Sequence, residues 1–298
     1  MESMKSIFQL PTNSTEFIPH RETMLLVDEL LQYGEGKIRG TAKITRDNPF
    51  LDESGAVGQN CLVEIMAQTV AAGNGYDCML RGDTLKTGFL VGVNDFSFYE
   101  DVRIGDELTI TTKEESSFGD FSFVEGSINA GSRLIAKGNL KLYEIKGAPE
   151  KTADWKPPEE GDGTAEGRAI PVNDKTPFFK AISRSSINFH INDDKEQVTS
   201  DFCFKDNFPG FKGHFPQFPI LPGVIMMETI MVLAETLCRK ELKIINISKA
   251  KFSRQSYPGD LLSGEVSITS RGNLRQINAK LTCNGRPVSS LILEAASK

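Results

Sequence analysis

The chain has 298 residues, 34 Lys+Arg against 40 Asp+Glu and a formal net charge of -6, which suggests two domains, each long enough to bury its own core. An acidic chain with no basic tract is not a general nucleic-acid binder, and its longest apolar run, 220–234, is too short to cross a membrane and contains Glu228. Five cysteines without metal-type spacing suggest reduced thiols in a cytoplasmic protein, and the opening residues lack the apolar core of a signal peptide.

In chain order, the first strong signal is the segment 59–72, QNCLVEIMAQTVAA. It is apolar nearly all round with one carboxylate, Glu64, near its start, the pattern of a helix buried on every side. A Gly105-Asp106 turn follows, then alternating segments starting at Leu108, Phe121 and Leu134 that read as strands. Residues 147–176 are rich in Pro, Gly and charge and read as a linker. The single tryptophan, Trp155, either pins that linker to a domain face or is exposed on it.

The second half repeats the plan. Residues 186–190 alternate and place His190 as an exposed strand residue. The segment 213–224, GHFPQFPILPGV, puts His214 on a tightly turned loop that leads into an apolar helix, 223–235, with Glu228 where the first helix has Glu64. A Gly259-Asp260 turn matches Gly105-Asp106, and in both the aspartate is the type that bonds its own backbone. Strands at 266–268, 277–282 and 288–293 follow, the last two joined by Asn284-Gly285, a strong hairpin signal. Each half therefore reads as an α+β unit: a long central helix, a strand or two before it, and an antiparallel meander after it that must cover the helix.

These residues resemble the hotdog-fold 3-hydroxyacyl-(acyl-carrier-protein) dehydratases. The second half is similar to FabZ-type enzymes through 213–224, Glu228 and the stretch from Lys251 to Asp260. The first half is similar to the same family, and to dehydratase-like proteins of aryl polyene gene clusters, through Ile18-Pro19-His20-Arg21, residues 24–28, Asn48-Pro49-Phe50 and residues 64–68. The resemblance implies a double hotdog: two antiparallel sheets, each wrapped around a long central helix, in domains 1–146 and 177–298. It further implies dehydration of 3-hydroxyacyl thioesters to trans-2-enoyl thioesters, with acyl carrier protein as partner and an intramolecular pseudo-dimer able to join further copies.

One departure matters. The first half has no His-Phe-Pro segment. In the family each site takes histidine from one unit and the acid from its partner, so the resemblance implies one working site, His214 with Glu64. The other would set Glu228 against a position near Ser54 with no histidine, and His20, read as part of an opening turn, would line that incomplete site.

Chemically, His214 suits a base that removes the carbon-2 proton. Glu64, buried in an apolar helix, is expected to have a raised pKa and to protonate the leaving hydroxyl. The helix start at Gly223 and Val224, with Phe215 beside His214, would receive the thioester oxygen. Met226, Met227 and Met231 read as helix core that could shape an acyl tunnel. Lys180, Lys212, Lys251 and Arg254 are candidates for a basic docking patch. No metal triad, phosphate loop or nucleophile elbow is visible, so no cofactor is expected. A hotdog thioesterase and a non-catalytic carrier-binding subunit remain the alternatives, and product analysis separates them.

Overall fold

The structure is a computed structural model that describes residues 9–146, 169–171 and 173–298. Trp155 and most of the expected linker lie outside the described residues. In chain order the elements are β1 (Thr12–Asn13), β2 (Glu29–Gly34), β3 (Lys37–Lys43), α1 (Asn60–Arg81), β4 (Lys86–Phe98), β5 (Glu107–Phe118), β6 (Phe121–Ala130) and β7 (Arg133–Lys146). The second half continues with α2 (Pro177–Arg184), β8 (Ser186–Asn192), β9 (Gln197–Cys203), α3 (Gly223–Cys238), β10 (Leu242–Phe252), β11 (Leu261–Arg271), β12 (Leu274–Cys283) and β13 (Arg286–Ser297).

The expectation of two separate sheets is corrected. All described strands join one antiparallel sheet of 13 strands, in the order β1-β2-β3-β5-β6-β7-β4-β10-β13-β12-β11-β9-β8. The seam is the β4–β10 pair, which sets Ala250 opposite Val93 and Ile247 opposite Phe96. Two edge strands with free ladder groups gain hydrogen bonds by pairing, and pairing removes both exposed edges. From either side of this seam the order is the same: β4 corresponds to β10, β7 to β13, β6 to β12, β5 to β11, β3 to β9 and β2 to β8.

The expected helix at 59–72 runs on to Arg81, where Gly82 at φ 70° ends it. Two glycines let this extension press against its surroundings. A Cβ at Gly75 would lie 2.3 Å from the Phe17 carbonyl oxygen, and one at Gly73 2.5 Å from the Ile38 side chain. α3 is buried along nearly its whole length, as its uniform apolarity requires. The two helices touch each other, and each touches the strands of its own half. One apolar core runs through both halves, crossing between them where Phe50 meets Phe178 at 4.8 Å.

α2 was not expected. Thr176 caps it, accepting a hydrogen bond from the Phe179 N–H, with proline at its first turn, so the Thr-Pro pair was the available signal. Just before it, Lys175 Nζ lies 2.6 Å from Glu235 Oε1 in a largely buried ion pair, and Ile170 is buried in the main core. The end of the expected linker is thus fastened to α3. The two Gly-Asp turns match as expected: Asp106 Oδ2 accepts from Arg103 N at 2.8 Å and Asp260 Oδ2 from Tyr257 N at 2.7 Å. Among the described residues no helix is long and apolar enough to cross a membrane, and the five cysteines are free.

Candidate active site

A cavity of about 970 Å³ runs between the halves. Glu64, Ala67, Gln68, Ala71, Asn74, Gly75 and Cys78 line it from one face of α1, the three-and-four spacing of a helical stripe. From Glu64 to Cys78 that stripe is roughly 21 Å long at 1.5 Å per residue. Ala67, Ala71 and Gly75 keep the wall shallow. Near its far end Glu144 accepts from Asn74 Nδ2 at 2.5 Å and pairs with Lys86 at 2.9 Å. Arg254, Asp260 and Arg286 also line the cavity. Sequence reading named Arg254 but not Arg286.

His214 is held from two sides. Its Nδ1 lies 2.9 Å from the Ile220 carbonyl oxygen, so Nδ1 carries the hydrogen as donor and Nε2 keeps a lone pair. The Phe215 ring stands edge-on to it at 4.5 Å, with Phe215 itself in the left-handed region at φ 50°. Burial, followed by the nearby His20, lowers the His214 pKa from its ordinary 6.5 to about 4, with Glu64 and Ile220 pulling the other way. At neutral pH the ring is uncharged.

Glu64 differs from the expectation. Burial is the largest influence and would raise its pKa. The His20 hydrogen bond, the His20 and His214 rings and Gln68 together outweigh it and hold the carboxyl below its usual range. Gln68, one helical turn on, donates from Nε2 to Glu64 Oε1 at 2.9 Å and to the Met24 carbonyl at 2.7 Å, and accepts from Leu26 N at 2.9 Å. Its i+4 spacing from Glu64 in the 59–72 segment is the sequence signal for this role.

His20 is the main correction. It does not line the Glu228 site. Its Nε2 lies 3.5 Å from Glu64 Oε1, and its ring centroid is 5.4 Å from that of His214. His20, Glu64 and His214 thus form one buried cluster, in which a nitrogen or carboxylate oxygen of each lies within 4.8 Å of the others.

The Glu228 site is separate. It borders a cavity of only about 30 Å³. Asn60 Nδ2 donates to Glu228 Oε1 at 3.2 Å, and a Cβ on Gly58 would come within 3.4 Å of the same oxygen. Gly58 and Asn60, not Ser54, face the carboxyl, while Ser54 bonds Asp52. Burial raises the Glu228 pKa to about 7, with Lys175 and Asn60 opposing it.

Gly223 and Met226 line the large cavity; Val224 and Met227 are buried in the core instead, and Met231 borders the small cavity. His190 is exposed on β8, as expected. Lys212 is paired with Glu22 at 2.8 Å, and neither Lys180 nor Lys251 lines the cavity with Arg254.

A family model described as ApeP dehydratase matches residues 12–153, and one described as ApeI dehydratase matches residues 190–286. The 3-hydroxyacyl-(acyl-carrier-protein) dehydratase FabZ of Hydrogenobaculum sp. (strain Y04AAS1) is 33% identical over 102 residues, 31% of this chain and 69% of that protein. The solved dehydratase domain of RzxB from Pseudomonas fluorescens is 12% identical with a TM-score of 0.55, covering 92% of this chain and 99% of that one. A putative oleoyl thioesterase from Lactobacillus plantarum is 10% identical with a TM-score of 0.57, covering 88% and 96%. These two give the fold alone, a hotdog-type, mostly antiparallel sheet with few helices, and one fold hosts both names.

Proposed function

The chain belongs to the hotdog-fold 3-hydroxyacyl-(acyl-carrier-protein) dehydratase family, and we propose that it works through one site per chain, made by His214 of the second half and Glu64 of the first. It is a dehydratase that removes water from a 3-hydroxyacyl thioester to leave an enoyl thioester. The observation that carries the site is the shared cavity: His214 and Glu64 both line it, whereas Glu228 faces Gly58 and Asn60.

The carbon-2 proton is weakly acidic, and neutral His214 offers Nε2 to take it, held in the right tautomer by Ile220. Glu64 is assigned the proton that leaves with the carbon-3 hydroxyl. The imidazolium formed on His214 is stabilised by the neighbouring Glu64 carboxyl. Charge gathering on the thioester oxygen is met at the start of α3, where Gly223 lines the cavity and the first N–H groups lack intrahelical partners. Phe215 braces His214. Val224 offers only its backbone there.

The acyl chain is read as lying along the α1 stripe. The partner is acidic acyl carrier protein, docking where Arg254 and Arg286 are exposed beside the cavity; higher salt then weakens docking. Each half is read as one hotdog unit, 1–146 and 177–298, joined by 147–176 into a pseudo-dimer that further copies could extend. Five free cysteines suit a cytoplasmic location.

Mass spectrometry of the products from a 3-hydroxyacyl carrier protein tests the reading. An enoyl thioester on the carrier is expected. Free acid with released carrier thiol would mean a thioesterase.

A further inference from the structure

His20 sits between the two residues assigned to the chemistry. Its Nε2 stands 3.5 Å from Glu64 Oε1, its ring contacts that of His214, and its Nδ1 is buried without a hydrogen-bond partner. A buried polar atom left unsatisfied costs free energy and asks for a reason. The loop is fixed in place: Arg21 Nη1 donates to the Ile18 and His20 carbonyls at 2.6 and 2.7 Å, and Arg21 N donates to Gly213 O at 2.9 Å.

The proton count gives His20 a task. The departing hydroxyl needs a proton, yet Glu64 at rest is a carboxylate and His214 a neutral imidazole. His20 and Glu64 together can hold one proton in two arrangements, imidazolium with carboxylate or imidazole with carboxylic acid. We propose that His20 is a positioning residue that shares this proton with Glu64, loads the carboxyl for the leaving hydroxyl, and accepts the proton's return from His214 after elimination. This rests on the assignment of Glu64 and His214 made above.

In the step, the carbon-2 C–H bond breaks, its proton goes to His214 Nε2, and its electron pair becomes the new carbon-2–carbon-3 double bond. The carbon-3–oxygen bond breaks, and the oxygen keeps the electron pair of that broken C–O bond, takes the proton of the His20–Glu64 pair and leaves as water. One proton then stands on His214, and its transfer to the pair restores the start.

The groups facing the pair are known from each side. His214 comes from the loop after β9. Arg21 is committed to carbonyls of its own loop, including Thr15. Lys86, Glu144, Arg254, Asp260 and Arg286 stand elsewhere along the cavity wall. Of these, only His214 lies in one close cluster with the pair.

The test is kcat/KM against pH for wild type, His20→Gln and Glu64→Gln, with folding checked by thermal melts. Two coupled bases hold their first proton at least as tightly as either alone. Without His20 the basic limb should therefore move down by about one pH unit, with kcat/KM falling up to about tenfold on that limb and far less on its acid side. Added imidazole should restore turnover to His20→Gly, a response that a structural role would not give. A wild-type basic limb in His20→Gln, or a folded His20→Gly deaf to imidazole, overturns the proposal. If His20→Gln does not fold, the imidazole titration decides alone. Full activity in Glu64→Gln would overturn the underlying assignment instead, whatever His20 does.

Discussion

Arg21 and Gly213 are joined backbone to backbone: Arg21 N donates to Gly213 O at 2.9 Å, and a Cβ on Gly213 would lie 1.8 Å from the Arg21 carbonyl oxygen. Their neighbours in sequence are His20 and His214. This contact sets the separation of the two imidazoles. Gly213 also adopts φ +86°, so no other residue fits without moving one loop. Gly213→Ala is expected to lower kcat/KM by about a hundredfold through displacement of His214. The melting free energy should fall by only about 1–3 kcal/mol. Kinetics and melts on one preparation check this.

The acid limb of kcat/KM should lie unusually low. The base must be neutral, and burial with His20 nearby lowers the His214 pKa to about 4. Activity should therefore persist as pH falls through 6.5 and decline only towards 4. A pH–rate profile checks this, and a limb at 6.5 would contradict it.

Glu228 gives stability the opposite pH dependence. Its folded pKa is raised from 4.5 to about 7. The buried carboxyl is neutral and harmless below 4.5, and stability is lost as pH rises through 7. Glu228→Gln should remove that loss, gaining up to about 3 kcal/mol over wild type above pH 8, with dehydration retained. Melts across pH check the first and product formation the second.

The α1 stripe predicts chain-length selection. Ala71 lies two helical turns beyond Glu64 on the cavity wall, so Ala71→Phe should block the far reach of the cavity. Turnover of long acyl substrates should fall about tenfold or more while short ones are spared. Paired assays on short and long 3-hydroxyacyl carriers read this out.

The Lys175–Glu235 pair predicts a stability effect remote from catalysis. Glu235 also accepts from Leu242 N at 3.0 Å, so Lys175→Met leaves a buried carboxylate without its cation. The expected loss is about 3–5 kcal/mol, seen in denaturant titration, with kcat unchanged in the protein that remains folded.

The repeated plan was legible because each copy is local: a uniformly apolar helix with one glutamate, a Gly-Asp turn, and an alternating meander. The mirrored strand order repeats that plan. Less legible were β4 and β10, the strands that pair at the seam, because register between distant strands leaves no local spacing. His214 and Glu64 could be set together through family likeness. The His20 position could not, since it depends on Arg21 meeting Gly213, a contact nearly 200 residues apart in the chain. For the same reason the expected rise in the Glu64 pKa failed: burial was readable from the helix, but the opposing imidazoles were not.

The most direct measurement compares enoyl product formation from a 3-hydroxyacyl carrier protein by wild type, Glu64→Gln and Glu228→Gln. The single cross-half site predicts that Glu64→Gln loses turnover by about a hundredfold or more while folded, and that Glu228→Gln keeps it. Full activity in Glu64→Gln with loss in Glu228→Gln would contradict it.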